Sequence, residues 1–129
     1  MSRSRFLSIM SFLHFSDSTM YEESTDRLYK IRPILDRLVN KFSTLYTPQQ
    51  SIALDEGMLA WRGRLWFRVY NPSKITKYGI LVCMVCESES GYISNLMIYD
   101  ATGINLQNAV LQLLNPFLDH GYAVYMDNY

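Results

Sequence analysis

Lysine and arginine are absent from residues 78–129, a stretch that keeps five acids: Glu87, Glu89, Asp100, Asp119 and Asp127. Any phosphate-facing surface must therefore come from further up the chain. Cysteine is scarce as well. Cys83 and Cys86 are the only two, which excludes a disulfide-stapled scaffold and fits a reducing compartment. No apolar run approaches the roughly 20 residues needed to cross a bilayer, so a soluble chain with no membrane partner is expected. The apolar stretch after the basic Met1-Ser2-Arg3-Ser4-Arg5 is broken by Ser8, Ser11 and His14, which excludes a secretory signal. There is no internal repeat, low-complexity segment or linker. What is present is 129 residues, 49% of them hydrophobic and 14% aromatic. That is enough for one packed core and excludes wholesale disorder.

Twelve basic residues cancel twelve acidic ones, but unevenly. Residues 1–56 carry seven of each sign, and residues 57–86 carry Arg62, Arg64, Arg68, Lys74 and Lys77 with no acid. A basic block beside carboxylates suits phosphate binding next to metal binding, although scattered charges on a solvated strand pair give the same pattern.

Phe6, Ile9 or Met10, and Leu13 recur at helical steps over residues 3–15. Residues 16–26 are polar and read as a loop, with Thr25 or Asp26 placed to cap the next segment. Leu28, Ile31, Leu35, Leu38, Phe42 and Leu45 give the strongest helical period. Pro33 belongs in a first turn, so the spacing predicts a turn near 27–31 and a helix over 32–46, stopped by Thr47-Pro48. From residue 51 the pattern is that of strands. A short one ends at Asp55, another runs from Leu65 to Tyr70, and a nearly continuous apolar one from Tyr78 to Cys86 is buried on both faces. Glu87 to Gly91 reads as a hairpin turn, Tyr92 to Tyr99 as its returning strand, residues 104–118 as a helix and Tyr122 to Met126 as a last strand.

The expected fold class is therefore α/β: two amino-terminal helices, then a partial, truncated ribonuclease-H-like mixed sheet (β-β-β-α-β). Residues 1–48 form the helical region and 49–129 the sheet region. In such a sheet the crossover helix returns the last strand parallel to the first. That topology makes Asp55 and Asp127 neighbours. Two close carboxylates repel and call for a cation, and Mg2+ takes oxygen ligands at phosphoryl-transfer sites. Glu56 is a poor third ligand, because on a strand it faces away from Asp55. The alternative is that each Asp merely ends a strand.

Trp61 and Trp66 interleave with Arg62, Arg64 and Arg68, which suits phosphate pairing with base stacking, although a Trp in a strand more often belongs to the core. Alternation predicts one of Trp66 and Phe67 in and the other out. Cys83 and Cys86, three apart on a strand, face opposite sides and cannot chelate one ion. His14 reads as a helix-face residue and His120 as one at a helix carboxy terminus.

Several motifs together resemble the piggyBac transposase family. Ser51-Ile52-Ala53-Leu54-Asp55-Glu56-Gly57-Met58 with Trp61-Arg62-Gly63-Arg64 is similar to its "IDE…(F/W)(R/K)GR" signature. Tyr70-Asn71-Pro72-Ser73-Lys74 and Lys77-Tyr78-Gly79-Ile80 resemble its "Y-x-P-x-K-P-x-K-(W/Y)-G" stretch, with Ile75 where proline is usual. Asp127-Asn128-Tyr129 resembles "DN(Y/W)(F/Y)". Arg5-Phe6, Leu13-His14-Phe15 and Lys30-Ile31-Arg32-Pro33 resemble "RF…LHF" and "KIRP". The resemblance implies a core that cuts and joins DNA with three aspartates and Mg2+, Asp55 and Asp127 being the first two and the third lying downstream. It also implies DNA contact through Arg62, Arg64, Lys74 and Lys77, a possible homodimer in the complete protein, no small-molecule cofactor and a nuclear location. With two of three acids, the chain alone is expected to be inactive. The alternative is a domesticated DNA- or protein-binding module, or an inert remnant.

Overall fold

The computed structural model describes residues 1–17, 26–103 and 106–127. By compactness the chain divides into Met1–Leu38 and Val39–Tyr129, with the boundary inside one helix. Thr25 and most of the expected loop at 16–26 lie outside the described residues, as do positions 128 and 129 of the DNY motif.

The first unit begins with α1 (Arg3–Ser11), where the Ser2 hydroxyl caps the helix by accepting the Arg5 amide at 3.3 Å. None of its residues is buried. His14 lies past its end, with Nδ1 2.7 Å from the Phe12 carbonyl oxygen, so the expected helix-face placement is corrected. Asp26 performs the expected capping: one carboxylate oxygen accepts the Leu28 amide at 2.9 Å, and both hold the Arg32 guanidinium at 2.7 Å. Arg32 holds the Asp26 carboxyl below its usual range, with the Leu28 amide adding to the effect and burial opposing it. The turn at 27–31 leads into α2 (Arg32–Leu45), with Pro33 in the first turn, where a missing N–H costs nothing.

The second unit holds five strands: β1 (Ser51–Ala60), β2 (Val69–Tyr70), β3 (Tyr78–Glu87), β4 (Ile93–Ile98) and β5 (Ala123–Met126). β1 and β5 pair in parallel, and every other pairing is antiparallel. β3 is central, with β1 on one edge and β2 and β4 sharing the other. Between β4 and β5 the chain crosses through α3 (Leu106–Leu114) and a 3-10 turn (Asn115–Phe117). The sequence β1, β3, β4, α3, β5 is the β-β-β-α-β run of the expected sheet, with β2 added. β1 runs five residues past the expected end at Asp55. Only Val69–Tyr70 of the expected strand 65–70 pairs. Trp66 is 87% exposed and its neighbour Phe67 6%, the expected one-out, one-in outcome, but both lie in a turn before β2, so strand alternation is not its cause. His120 lies in a turn after the 3-10 segment and ends no helix.

One face of the sheet is the core. Ile52 and Leu54 from β1 and Cys83 and Val85 from β3 pack against Leu113, Leu114 and Phe117, with Met97, Val110 and Tyr122 at the margin. Phe117 and Tyr122 meet edge to face at 5.5 Å, a favourable ring geometry. The Asn95 amide nitrogen donates to the Leu113 carbonyl at 2.8 Å and ties α3 to β4.

The β3–β4 turn hides a carboxylate. Glu87 is 2% exposed. It accepts the Tyr46 hydroxyl at 2.9 and 3.0 Å, the Gln49 amide at 2.6 Å and the Ser90 hydroxyl. The Gln49 amide, then the Ser90 and Tyr46 hydroxyls, hold its carboxyl below the usual value against the opposing effect of burial. The same contact raises the Tyr46 hydroxyl above its ordinary value. Tyr46 and Tyr92 rings lie 4.8 Å apart, and the Tyr92 hydroxyl donates to the Phe42 carbonyl at 2.9 Å. This cluster fixes the end of α2 and the start of β1 against the hairpin.

A Cβ added at Gly79 would lie 2.1 Å from the Leu59 carbonyl oxygen, a backbone atom that cannot step aside. Gly79→Ala is therefore expected to destabilise the chain by more than the ~1–3 kcal/mol of ordinary overpacking, read from urea unfolding. Glu87 has a folded-state pKa below its unfolded value, so its contribution is present above pH 4.5 and lost as pH falls through the folded value. Glu87→Gln should lower stability at neutral pH and flatten the acid limb below pH 4.5. Parallel wild-type and variant curves of melting temperature against pH would count against this role.

Candidate metal and nucleic-acid site

The parallel pairing of β1 and β5 sets the site. Its register pairs are Ser51 with Ala123, Ile52 with Val124, Ala53 with Tyr125 and Leu54 with Met126. Asp55 and Asp127 each follow the last pair by one residue. Asp127 thus leaves the carboxyl end of β5 beside Asp55, which lies midway along β1 on the face opposite Leu54. The Asp55 side chain is 67% exposed, and one of its oxygens accepts the Glu56 amide at 2.7 Å.

Glu56 faces the core side, as strand alternation predicts. Burial, the larger cause in each case, pushes both cysteine thiols up, and the second cause separates the faces: the Glu56 charge for Cys83, the Asp55 charge for Cys86. The register agrees, setting Cys83 opposite Glu56 and Cys86 opposite Ala53, so the two thiols lie on opposite faces as expected.

Lys74, expected on the phosphate-facing surface, turns to the acids instead. Its ammonium is 3.1 Å from Glu56 Oε1 and 3.9 Å from Asp55 Oδ1, and it donates to the Glu56 carbonyl at 3.2 Å. The Ala123 amide donates to the Gln50 carbonyl, so the even-numbered carbonyls of β1 point toward β5. The Glu56 carbonyl therefore lies on that edge, beyond the last β5 pair, and from there one ammonium reaches oxygens on both faces of β1. The hydrogen bond to Glu56 raises the Lys74 pKa most, the charges of Glu56, Asp55 and Asp127 add, and burial opposes them.

Asp55 and Asp127 are hard oxygen donors of the kind Mg2+ takes. Among the described residues, no group of three His, Cys, Asp or Glu side chains is arranged to hold a metal ion. The donor set fits two ligands of a divalent-cation site, and no third stands beside them among those residues.

The remaining basic residues gather elsewhere. Arg62, Arg64 and Arg68 line an open groove of ≈ 490 Å³ with Gly63, Leu65 and Trp66. Arg62 and Arg68 also line a second groove of ≈ 660 Å³ with Trp61, Ile75, Lys77 and Tyr78 among its walls. The Arg68 guanidinium lies 5.7 Å from the Tyr78 ring centre, and Tyr78 stacks on Tyr70 at 4.6 Å. Arg62, Arg64 and Lys77 thus share one basic, aromatic surface. Arg68 and Tyr78 belong to it too; the alternation of Trp and Arg hinted at the first, and nothing local marked the second.

A family model described as Transposase IS4 matches residues 1–129, and the chain belongs to this transposase family. It is of the piggyBac type. The structure of a piggyBac transposase synaptic complex with hairpin DNA matches with a TM-score of 0.83 and 27% sequence identity, over 98% of this chain and 33% of that one. The chain thus spans about a third of that transposase. Catalysis in the wider family generally uses a divalent metal.

Proposed function

We propose that this chain is the first part of the catalytic core of a DNA transposase, in which Asp55 and Asp127 hold Mg2+ for strand cleavage and transfer. The register pair of Leu54 with Met126, one residue short of both aspartates, carries this assignment. When bound, the ion would activate the attacking oxygen and steady the leaving one. The chain's own part is to aim two carboxylates at one point and to present Arg62, Arg64 and Lys77 to phosphates, with Trp61 and Trp66 available for stacking. Residues 1–48 would be the end of a helical DNA-binding and dimerisation segment and 49–129 the start of the core. The complete protein would act on DNA as a homodimer in the nucleus.

A second assignment, a non-catalytic DNA- or protein-binding module, draws support from two observations. Among the described residues no third acid completes the pair, and an ammonium already stands among the acids.

The chain alone should cleave no DNA in Mg2+ or Mn2+, whereas a complete transposase carrying these residues should lose cleavage to background on Asp55→Ala. Retained cleavage would refute the role of Asp55. Binding of the chain to duplex DNA should weaken with salt, and replacing Arg62, Arg64 and Lys77 by Gln should lower the slope by about 0.9 for each phosphate interaction removed. A flat response with no binding at low salt would leave an inert remnant.

A further inference from the structure

Lys74 stands in the loop between β2 and β3. That loop is closed on itself: the Asn71 amide donates to the Lys77 carbonyl at 2.8 Å, and the Asn71 side-chain oxygen accepts the Ser73 amide at 3.1 Å and its hydroxyl at 2.6 Å. The loop carries two different groups. Ile75, Thr76 and Lys77 line the larger basic groove, while Lys74 reaches back to the acids.

An ammonium has three donors and no acceptor. Here it meets two oxygens within hydrogen-bonding distance and a third at 3.9 Å, all belonging to Asp55 or Glu56. Asp127 lies within range of the same charge. Asp55 and Asp127 supply oxygens of the kind a hard divalent ion takes, and a cation bound there would stand against the Lys74 charge. Without an opposing charge, the carboxylates of Asp55 and Asp127 would repel.

We propose that Lys74 is a built-in counter-ion that occupies the carboxylate site and must be displaced when a divalent cation binds there. This rests on the metal role assigned to Asp55 and Asp127. Metal entry then frees the Lys74 side chain and loosens the hold of β1 on the loop that walls the basic groove.

The test is Mn2+ binding by the 129-residue chain, followed by electron paramagnetic resonance of the free ion. Lys74→Gln should bind Mn2+ roughly tenfold more tightly than wild type, as expected for removal of one adjacent positive charge. The double variant Lys74→Gln, Asp55→Asn should lose that gain. Equal or weaker binding by Lys74→Gln, with binding still dependent on Asp55, would overturn the counter-ion role and leave the metal assignment standing. No Asp55-dependent binding in either protein would remove the metal assignment and the competition with it. A second readout needs no variant. Reductive methylation of Lys74 in the wild-type chain should be slower than that of Lys77 and should speed up when Mn2+ is added. Equal rates that Mn2+ does not change would overturn the proposal.

Discussion

The parallel pairing of β5 on β1 is the constraint on which the acidic end depends. A parallel neighbour cannot be reached by a tight turn, so the chain crosses through α3, and that crossing is held by the one face of α3 that is buried. Leu113, Leu114 and Phe117 seat on Ile52, Leu54, Cys83 and Val85. Fully burying each large side chain contributes on the order of 1.5–3 kcal/mol, and these contacts offset the cost of closing the long connection. Register matters as much as pairing. A slip of one residue would turn Asp127 to the other face of the sheet and separate it from Asp55.

Much of this layout is legible in the residues. The unbroken apolar run Tyr78–Cys86 announces a central strand, and the polar break at Asp100–Gly103 followed by a helical period announces a crossover. Once four strands and one crossover are placed, the neighbourhood of Asp55 and Asp127 follows from topology. Other features leave no local trace. Asp55-Glu56-Gly57 has the composition of a strand end, yet β1 continues to Ala60 because the whole length of β3 pairs with it. Leu65–Tyr70 has strand composition, yet β2 pairs with β3 only at Val69 and Tyr70. Glu87 sits among serines and another glutamate, the composition of a solvated turn, and is buried because Tyr46 and Gln49 arrive from some forty residues earlier in the chain. Lys74 looks like one of five equivalent cations until the fold brings Glu56 within 3.1 Å.

The sheet handles negative charge in two opposite ways. At the hairpin end, neutral amide and hydroxyl donors surround the ionised Glu87 and make it a structural fixture. Midway along β1, Asp55 stays open to solvent with a partly exposed ammonium beside it. Directed neutral donors hold a geometry, whereas a long lysine side chain in partial contact with water is easily exchanged. Rigidity and replaceability are thus assigned to different acids of one small sheet.

The glycine at position 79 has a consequence for the basic groove. Because hydrogen is the only substituent that fits there, β1 and β3 meet main chain to main chain at the groove's edge, beside Ala60 and Tyr78. A ligand in the groove therefore meets the side chains that hang from this seam, Trp61, Arg62, Arg68 and Tyr78, while the spacing of the two main chains behind them is set by a single hydrogen.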